Sequence, residues 1–295
     1  MGGVAGGRLA SAVSRAGALG MIGMGSAASP RALRRELGLL DVGGAPFGVG
    51  FAAWGLAREP EMLDIALAAR PALVSVSFAD WEVPEQLAWV GPVRAGGAIA
   101  VMQVATADEA KRAADLGVEA VIARGAEGGG HGDHQRPRDE LLAEVLAVVQ
   151  LPVLSAGAVS TGDELRAVLD AGAAAAWVGT AFAACEEALT SDAAREVLLA
   201  ADGSETTVSR VLDVGLERPW PKRFSERLLR TPFVERWQGR EDQLAADAEA
   251  RAELRAAVEA DDFSVVPLDA GEGVGALTRV RSAAEVVEEF AANLR

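Results

Sequence analysis

The 295 residues suffice for one (β/α)8 barrel, which runs to about 250 residues, together with an appendage. Half of them are apolar and 24% are charged, which excludes a disordered chain, and a formal net charge of -15 opposes nucleic acid and anionic lipid as partners. One cysteine, Cys185, and two histidines, His131 and His134, leave no internal disulfide and no convincing zinc set, which points to a reducing, cytoplasmic setting.

Gly2, Gly3, Gly6, Gly7 and Arg15 interrupt any apolar core of a signal peptide at the N-terminus. The segment GRLASAVSRAG sets Leu9, Ala12, Val13 and Ala16 on one face, with Arg8, Ser11 and Arg15 elsewhere, and ends at Gly17. This predicts an opening helix. Seven β-like runs follow, at 18–24, 46–52, 72–79, 98–104, 120–125, 152–157 and 175–182, with amphipathic stretches between them. Most are continuously apolar, as parallel strands covered on both faces should be. Ser29 before Pro30, Thr106 with Glu109, and Thr161 with Glu164 predict helix starts between strands. The most apolar run, 171–185, is shorter than the ~20 residues of a membrane helix and reads as a buried strand with its flanks.

The expected architecture is therefore an α/β (β/α)8 TIM barrel over 1–185 that lacks its first strand, the start codon having been assigned too late. Charged helical sequence over 186–265 predicts a helical appendage. Residues 266–295 predict a glycine-rich loop and a helix capped by Ser282 and Glu285 that return to the barrel.

The densest chemical signal is ARGAEGGGHGDHQRP, residues 123–137, directly after the run at 120–125. Gly128, Gly129, Gly130 and Gly132 strip side chains from around His131, so the imidazole should stand clear as a general base or acid. Glu127 either orients it or caps the next helix, and His134 is read as a surface or supporting residue. A second signal is the pair SAGAVSTGDE and VGTAF, at strand ends where such barrels often bind phosphate. Gly157 permits close approach of an anion, Thr161 begins a helix, and Gly179 with Thr180 offers N–H and hydroxyl donors. Together these features point to a phosphorylated cofactor beneath a reacting substrate and leave its identity open. A Schiff-base enzyme is disfavoured, because Lys111 lies in a helix and Lys222 in the appendage. Two histidines are too few for a metal-dependent hydrolase, and Cys185 in its apolar setting reads as a buried structural thiol.

With these residues in view, the chain resembles the nitronate monooxygenase family and its relative, flavin-dependent enoyl-ACP reductase. The likeness rests on MGGVAGGRLASAVSRAGALGMIG, PFGVGF, RGAEGGGHGD, PVLSAGAVSTGDELRAVLDAGAAAAWVGTAFAACEEA and AGEGVG. The resemblance implies an FMN flavoprotein without a metal that oxidises a nitroalkane or nitronate with O2 to a carbonyl compound and nitrite. By position, His131 is the catalytic histidine. Met1, Gly2, Arg124 and Gly129 lie beside the flavin ring with Gly130 close by. Gly157, Ala158, Gly179 and Thr180 hold its phosphate, and Trp177 and Val178 lead into them. Departures from the family pattern are Gly50 for asparagine, Arg124 for glutamine, Ala158 for a second glycine, and Asp269 and Glu272 for an aromatic residue and a glutamine. The resemblance leaves two alternatives, an NAD(P)H-dependent enoyl thioester reductase and a flavin-binding protein without turnover. The expected partners are a small nitronate or nitroalkane and O2, with no nucleic acid, no membrane and oligomerisation open.

Overall fold

The computed structural model describes residues 1–292 and 294. All seven apolar runs form strands: β1 (Gly20–Met24), β2 (Phe47–Ala52), β3 (Leu73–Ser77), β4 (Ile99–Val104), β5 (Ala120–Arg124), β7 (Val153–Ala156) and β8 (Ala175–Trp177). A short strand, β6 (Gly130–Gly132), lies in the glycine loop, outside this sheet. The seven pair in parallel in their chain order, with β1 and β8 as the two edges, so the sheet curls without closing.

Side chains alternate between the two faces of a strand, and both faces are covered here. Val49, Val74, Val76, Ala100, Met102, Val121 and Ala123 pack beneath helices through Leu9, Leu33, Met62, Leu141 and Leu142. On the concave face, Leu73, Val101, Ala120, Ile122 and Ala156 form a separate cluster. Met21 of one edge strand and Trp177 of the other both pack against that cluster, which is the mark of a sheet curled back on itself. Among the described residues no helix is long and apolar enough to cross a membrane.

The helix starts arise from the local chemistry read in the sequence. Ser29 Oγ accepts from Ala32 N at 3.2 Å with Pro30 in the first turn, and Thr161 and Glu164 cap each other's backbone N–H. Thr106 accepts from Glu109 N, but Glu109 reaches Ala105 N rather than completing the box. The opening helix Gly7–Arg15 packs the predicted Leu9, Ala12, Val13 and Ala16 against the core, but its buried face is wider than predicted, because Ser11 and Ser14 also face inward. Ser11 Oγ donates to Gly7 O and accepts from Asp41 N, while Ser14 Oγ donates to Pro46 O and accepts from Gly20 N. Their hydroxyls are satisfied by backbone, which removes the cost of burying them. Gly20 is required for this packing, since a Cβ there would come within 1.9 Å of Ala10 O.

After residue 185 the structure departs from an all-helical appendage. Its helices Val211–Gly215, Pro232–Trp237, Glu241–Ala246 and Ala248–Glu259 share a core of Val211, Leu212, Phe233, Leu244 and Leu254. Two strands lie among them, β9 (Thr206–Ser209) and β10 (Ser225–Leu229). β10 pairs antiparallel with both β9 and β6, so the appendage grips the glycine loop through a second sheet. Residues 270–276 then return over the mouth of the curled sheet, where Gly271 N donates to Thr180 Oγ1 at 3.1 Å and Glu272 N to Glu127 O at 3.0 Å. The helix Ala283–Ala292 follows, and Ser282 and Glu285 form the reciprocal cap anticipated for it.

Candidate active site

The glycine loop leaves β5 at Arg124, which is buried. Its Nη2 donates to Gly128 O at 2.7 Å, Gly129 O at 3.0 Å and Gly130 O at 3.1 Å, so one guanidinium ties three loop carbonyls together. Burial, and after it the charge of Arg227, lowers its pKa to about 10, which leaves it a cation at neutral pH. Two of the glycines are dictated by close approach. A Cβ at Gly132 would lie 1.9 Å from Arg124 Nη1, and one at Gly129 would lie 2.5 Å from Gly271 N.

The resulting β6 presents His131 to β10 and to the helix Val211–Gly215. His131 Nε2 lies 2.8 Å from Asp213 Oδ2 and 3.7 Å from Glu226 Oε2. Its ring stacks on Trp220 with centroids 3.6 Å apart and planes 9° from parallel, and Trp220 is met edge-on by Trp54 and Phe78. The imidazole therefore does not stand clear: its side chain is 8% exposed, and the appendage encloses it. A neutral ring with its proton on Nε2 donates to Asp213 and leaves Nδ1 as the bare, basic nitrogen.

Glu226 faces His131 directly across the β6–β10 pairing and is fully buried. No N–H reaches either of its oxygens within hydrogen-bond distance among the described residues; the side chain against it is that of Asp269. Burial, with Asp269 and Asp213 nearby, pushes its carboxyl well above the ordinary carboxylate range. Asp213 and Glu226 were not anticipated from sequence. The only local signal is the acid inside the otherwise apolar VLDVG; Glu226 in SERLL, between Ser225 and Arg227, carries none.

Of the two roles considered for Glu127, the structure shows the cap: both of its oxygens accept from Arg138 N, at 3.0 and 2.9 Å. His134 turns to backbone carbonyls, with Nδ1 2.9 Å from Ala126 O and Nε2 3.2 Å from Ser225 O. Burial, reinforced by the Arg124 charge, lowers its pKa to about 4. Cys185 is buried in the core, and that burial pushes its thiol up to about 12.

Gly157 and Ala158 follow β7 with φ of +123° and +49°, the left-handed region, where an alanine is strained by about 1 kcal/mol or more. Arg138 Nη1 donates to Gly157 O at 3.1 Å, an anchor that sequence reading missed. The backbone N–H groups of Ala158, Gly179 and Thr180 have no acceptor among the described residues. Trp177 lies on the concave face and Val178 packs against the helix-side core. Met1 bridges the sheet edges: its carbonyl oxygen would lie 2.8 Å from a Cβ on Gly23, and its side chain 3.6 Å from one on Gly179. Gly2 packs against Gly25, and Gly130 takes φ of +72°. Gly50 pairs with Gly23 on one side and Ser75 on the other, so no side chain projects from it onto the concave face. Glu272 pairs with Arg227 at 3.1 Å, and Asp269 bridges to Leu228.

Residues 58–293 match the model of the family described as nitronate monooxygenase. The chain is 32% identical over 264 residues to the nitronate monooxygenase of Pseudomonas aeruginosa, covering 73% of each protein. It is also 32% identical over 216 residues to (3aS,4S,5R,7aS)-5-hydroxy-7a-methyl-1-oxo-octahydro-1H-indene-4-carboxyl-CoA dehydrogenase of Rhodococcus jostii, covering 72% of this chain but only 58% of that protein's length. Among solved structures, FabK from Thermotoga maritima superposes with a TM-score of 0.81 at 24% identity, covering 99% of this chain and 91% of that one, a likeness of fold.

Proposed function

Because the chain belongs to the nitronate monooxygenase family of flavoprotein oxidoreductases, we propose that it oxidises nitronates, or their parent nitroalkanes, with FMN and O2 to a carbonyl compound and nitrite. The single observation that carries this reading is the 2.8 Å contact between His131 Nε2 and Asp213, set beside the mouth of the curled sheet. The residues present fit the cofactor's phosphate end: the N–H groups of Ala158, Gly179 and Thr180 lack acceptors, and an anion held there would satisfy them. Gly50 keeps a side chain off the neighbouring concave face. Bound FMN would take electrons from the substrate and pass them to O2.

The protein's own part is proton transfer and orientation. Asp213 accepts from Nε2–H and so fixes the tautomer in which Nδ1 takes a proton from the nitroalkane carbon. As the ring becomes an imidazolium, the same carboxylate stabilises its charge, and the cation holds the nitronate anion. Stacking on Trp220 limits rotation of the ring. Nitrite release from propionate 3-nitronate and from 2-nitropropane, compared between the wild type and His131→Ala, tests the reading. A loss of about 10²- to 10⁴-fold is expected, and equal rates would refute it.

The similarity to a dehydrogenase named for a carboxyl-CoA substrate favours one second reading, flavin chemistry on a thioester with a nicotinamide cofactor. Anaerobic bleaching of the flavin by NADH or NADPH, speeded by an enoyl thioester, would select it.

A further inference from the structure

The pairing of β6 with β10 and the packing of the helix Val211–Gly215 bring one imidazole and two carboxylates to a point. Ligand atoms of His131, Asp213 and Glu226 all lie within 4.8 Å of one another. Tetrahedral zinc with bonds of about 2.0–2.1 Å holds its donor atoms about 3.3 Å apart. The observed separations from His131 Nε2, 2.8 Å to Asp213 and 3.7 Å to Glu226, lie on either side of that value. Small side-chain adjustments would therefore bring all three into a zinc coordination sphere.

The independent sign of a missing ligand is Glu226. Its side chain is 0% exposed, it points at the imidazole, and no N–H among the described residues reaches either oxygen within hydrogen-bond distance, the side chain against it being another acid, Asp269; Asp213 Oδ1 is likewise without a donor. A buried carboxylate in that state is costly unless a cation or a donor meets it. The charged groups facing the point are Asp213, Glu226 and Asp269 against one guanidinium, Arg218, whose Nη1 is 3.7 Å from Glu226 Oε2. A cation that binds here displaces to solvent any proton that burial holds on Glu226. With the three carboxylates then ionised, their excess of two negative charges over Arg218 equals the charge of one divalent cation, and Arg218 is a third exposed, so it has solvent to retreat into.

We infer that His131, Asp213 and Glu226 form a site for a divalent cation of the zinc type, and that its occupation shuts off the base. A neutral imidazole ligated through Nε2 carries its remaining proton on Nδ1. The nitrogen assigned to proton abstraction is then no longer basic. This inhibitory half rests on the proposed role of His131; the binding half does not.

The chain has only two histidines, so each ring can be followed by ¹⁵N NMR of histidine-labelled protein during titration with ZnCl2. The expected result is a displaced Nε2 resonance for one ring, still seen in His134→Gln and therefore belonging to His131. Calorimetric zinc affinity should fall at least about tenfold in both Asp213→Asn and Glu226→Gln, since even an outer-shell partner is worth that much. Nitrite release should decline in proportion to zinc occupancy. Unmoved His131 resonances at saturating zinc, or affinity unchanged in both variants, would overturn the site. Zinc bound as described with full nitrite release would overturn the inhibition. A zinc-free protein that releases no nitrite would end the functional proposal while the NMR and calorimetry still decide the site.

Discussion

The two sheets of this molecule are held by different physics. The seven-stranded sheet is apolar on both faces, and its strands pair in the order in which they occur along the chain. The three-stranded sheet joins β6 to β10 and β9 from beyond residue 200, and where they meet it buries an imidazole and two carboxylates. The first gains stability from area removed from water, and the second spends some of it on polar groups that lack full partners. The large sheet carries apolar side chains on both faces, and the small one holds the buried ionisable groups.

The largest effect should come from Asp213→Asn, which keeps the shape of the small sheet but replaces the charged acceptor of Nε2–H by a neutral amide that cannot stabilise the imidazolium. Nitrite release is expected to fall about 10²- to 10⁴-fold with flavin absorbance retained, and a rate near that of wild type would show that the dyad is merely structural. In the large sheet, Ile122→Ala should cost about 2–5 kcal/mol in urea unfolding, because Ile122 is almost fully buried on the concave face. A loss well under 1 kcal/mol would place the stability elsewhere.

His134 links the loop to pH. Burial lowers its folded pKa to about 4 from the ordinary 6.5, so the folded ring stays neutral while the unfolded chain takes up a proton first. Stability is full above 6.5 and is lost as pH falls toward 4, by at most about 3 kcal/mol. The Tm of His134→Gln should therefore fall less steeply than that of wild type over this window. The smallest change should be Glu226→Leu. Replacing a buried carboxyl that no N–H reaches within hydrogen-bond distance and that lies against another acid by an apolar side chain should leave stability unchanged or raise it by about 1 kcal/mol or more. A chemical-denaturation loss as large as that of Ile122→Ala would erase the contrast between the two sheets.

How much of this was legible follows the same division. All seven strands of the large sheet are visible as apolar runs, and Ser29, Thr161 and Ser282 announce their helices, because those signals depend on neighbours within four residues. Ser11 was misread because its hydroxyl is satisfied by Gly7 O and Asp41 N, and the second partner lies far along the chain. β9 and β10 escaped notice because strands as short as TTVS and SERLL carry no periodicity of their own. The glycines around His131 marked the loop but suggested an open imidazole.

The sequence alone determined the curled parallel sheet, its strand order, and the histidine loop and the glycine-bearing strand ends at its mouth, since apolar patterning and turn chemistry act over short stretches of chain. Only the tertiary structure decided what His131 touches. Asp213 lies 82 residues away, and Trp220 and Glu226 lie farther still; such side chains meet through the packing of separate elements, which no local pattern encodes.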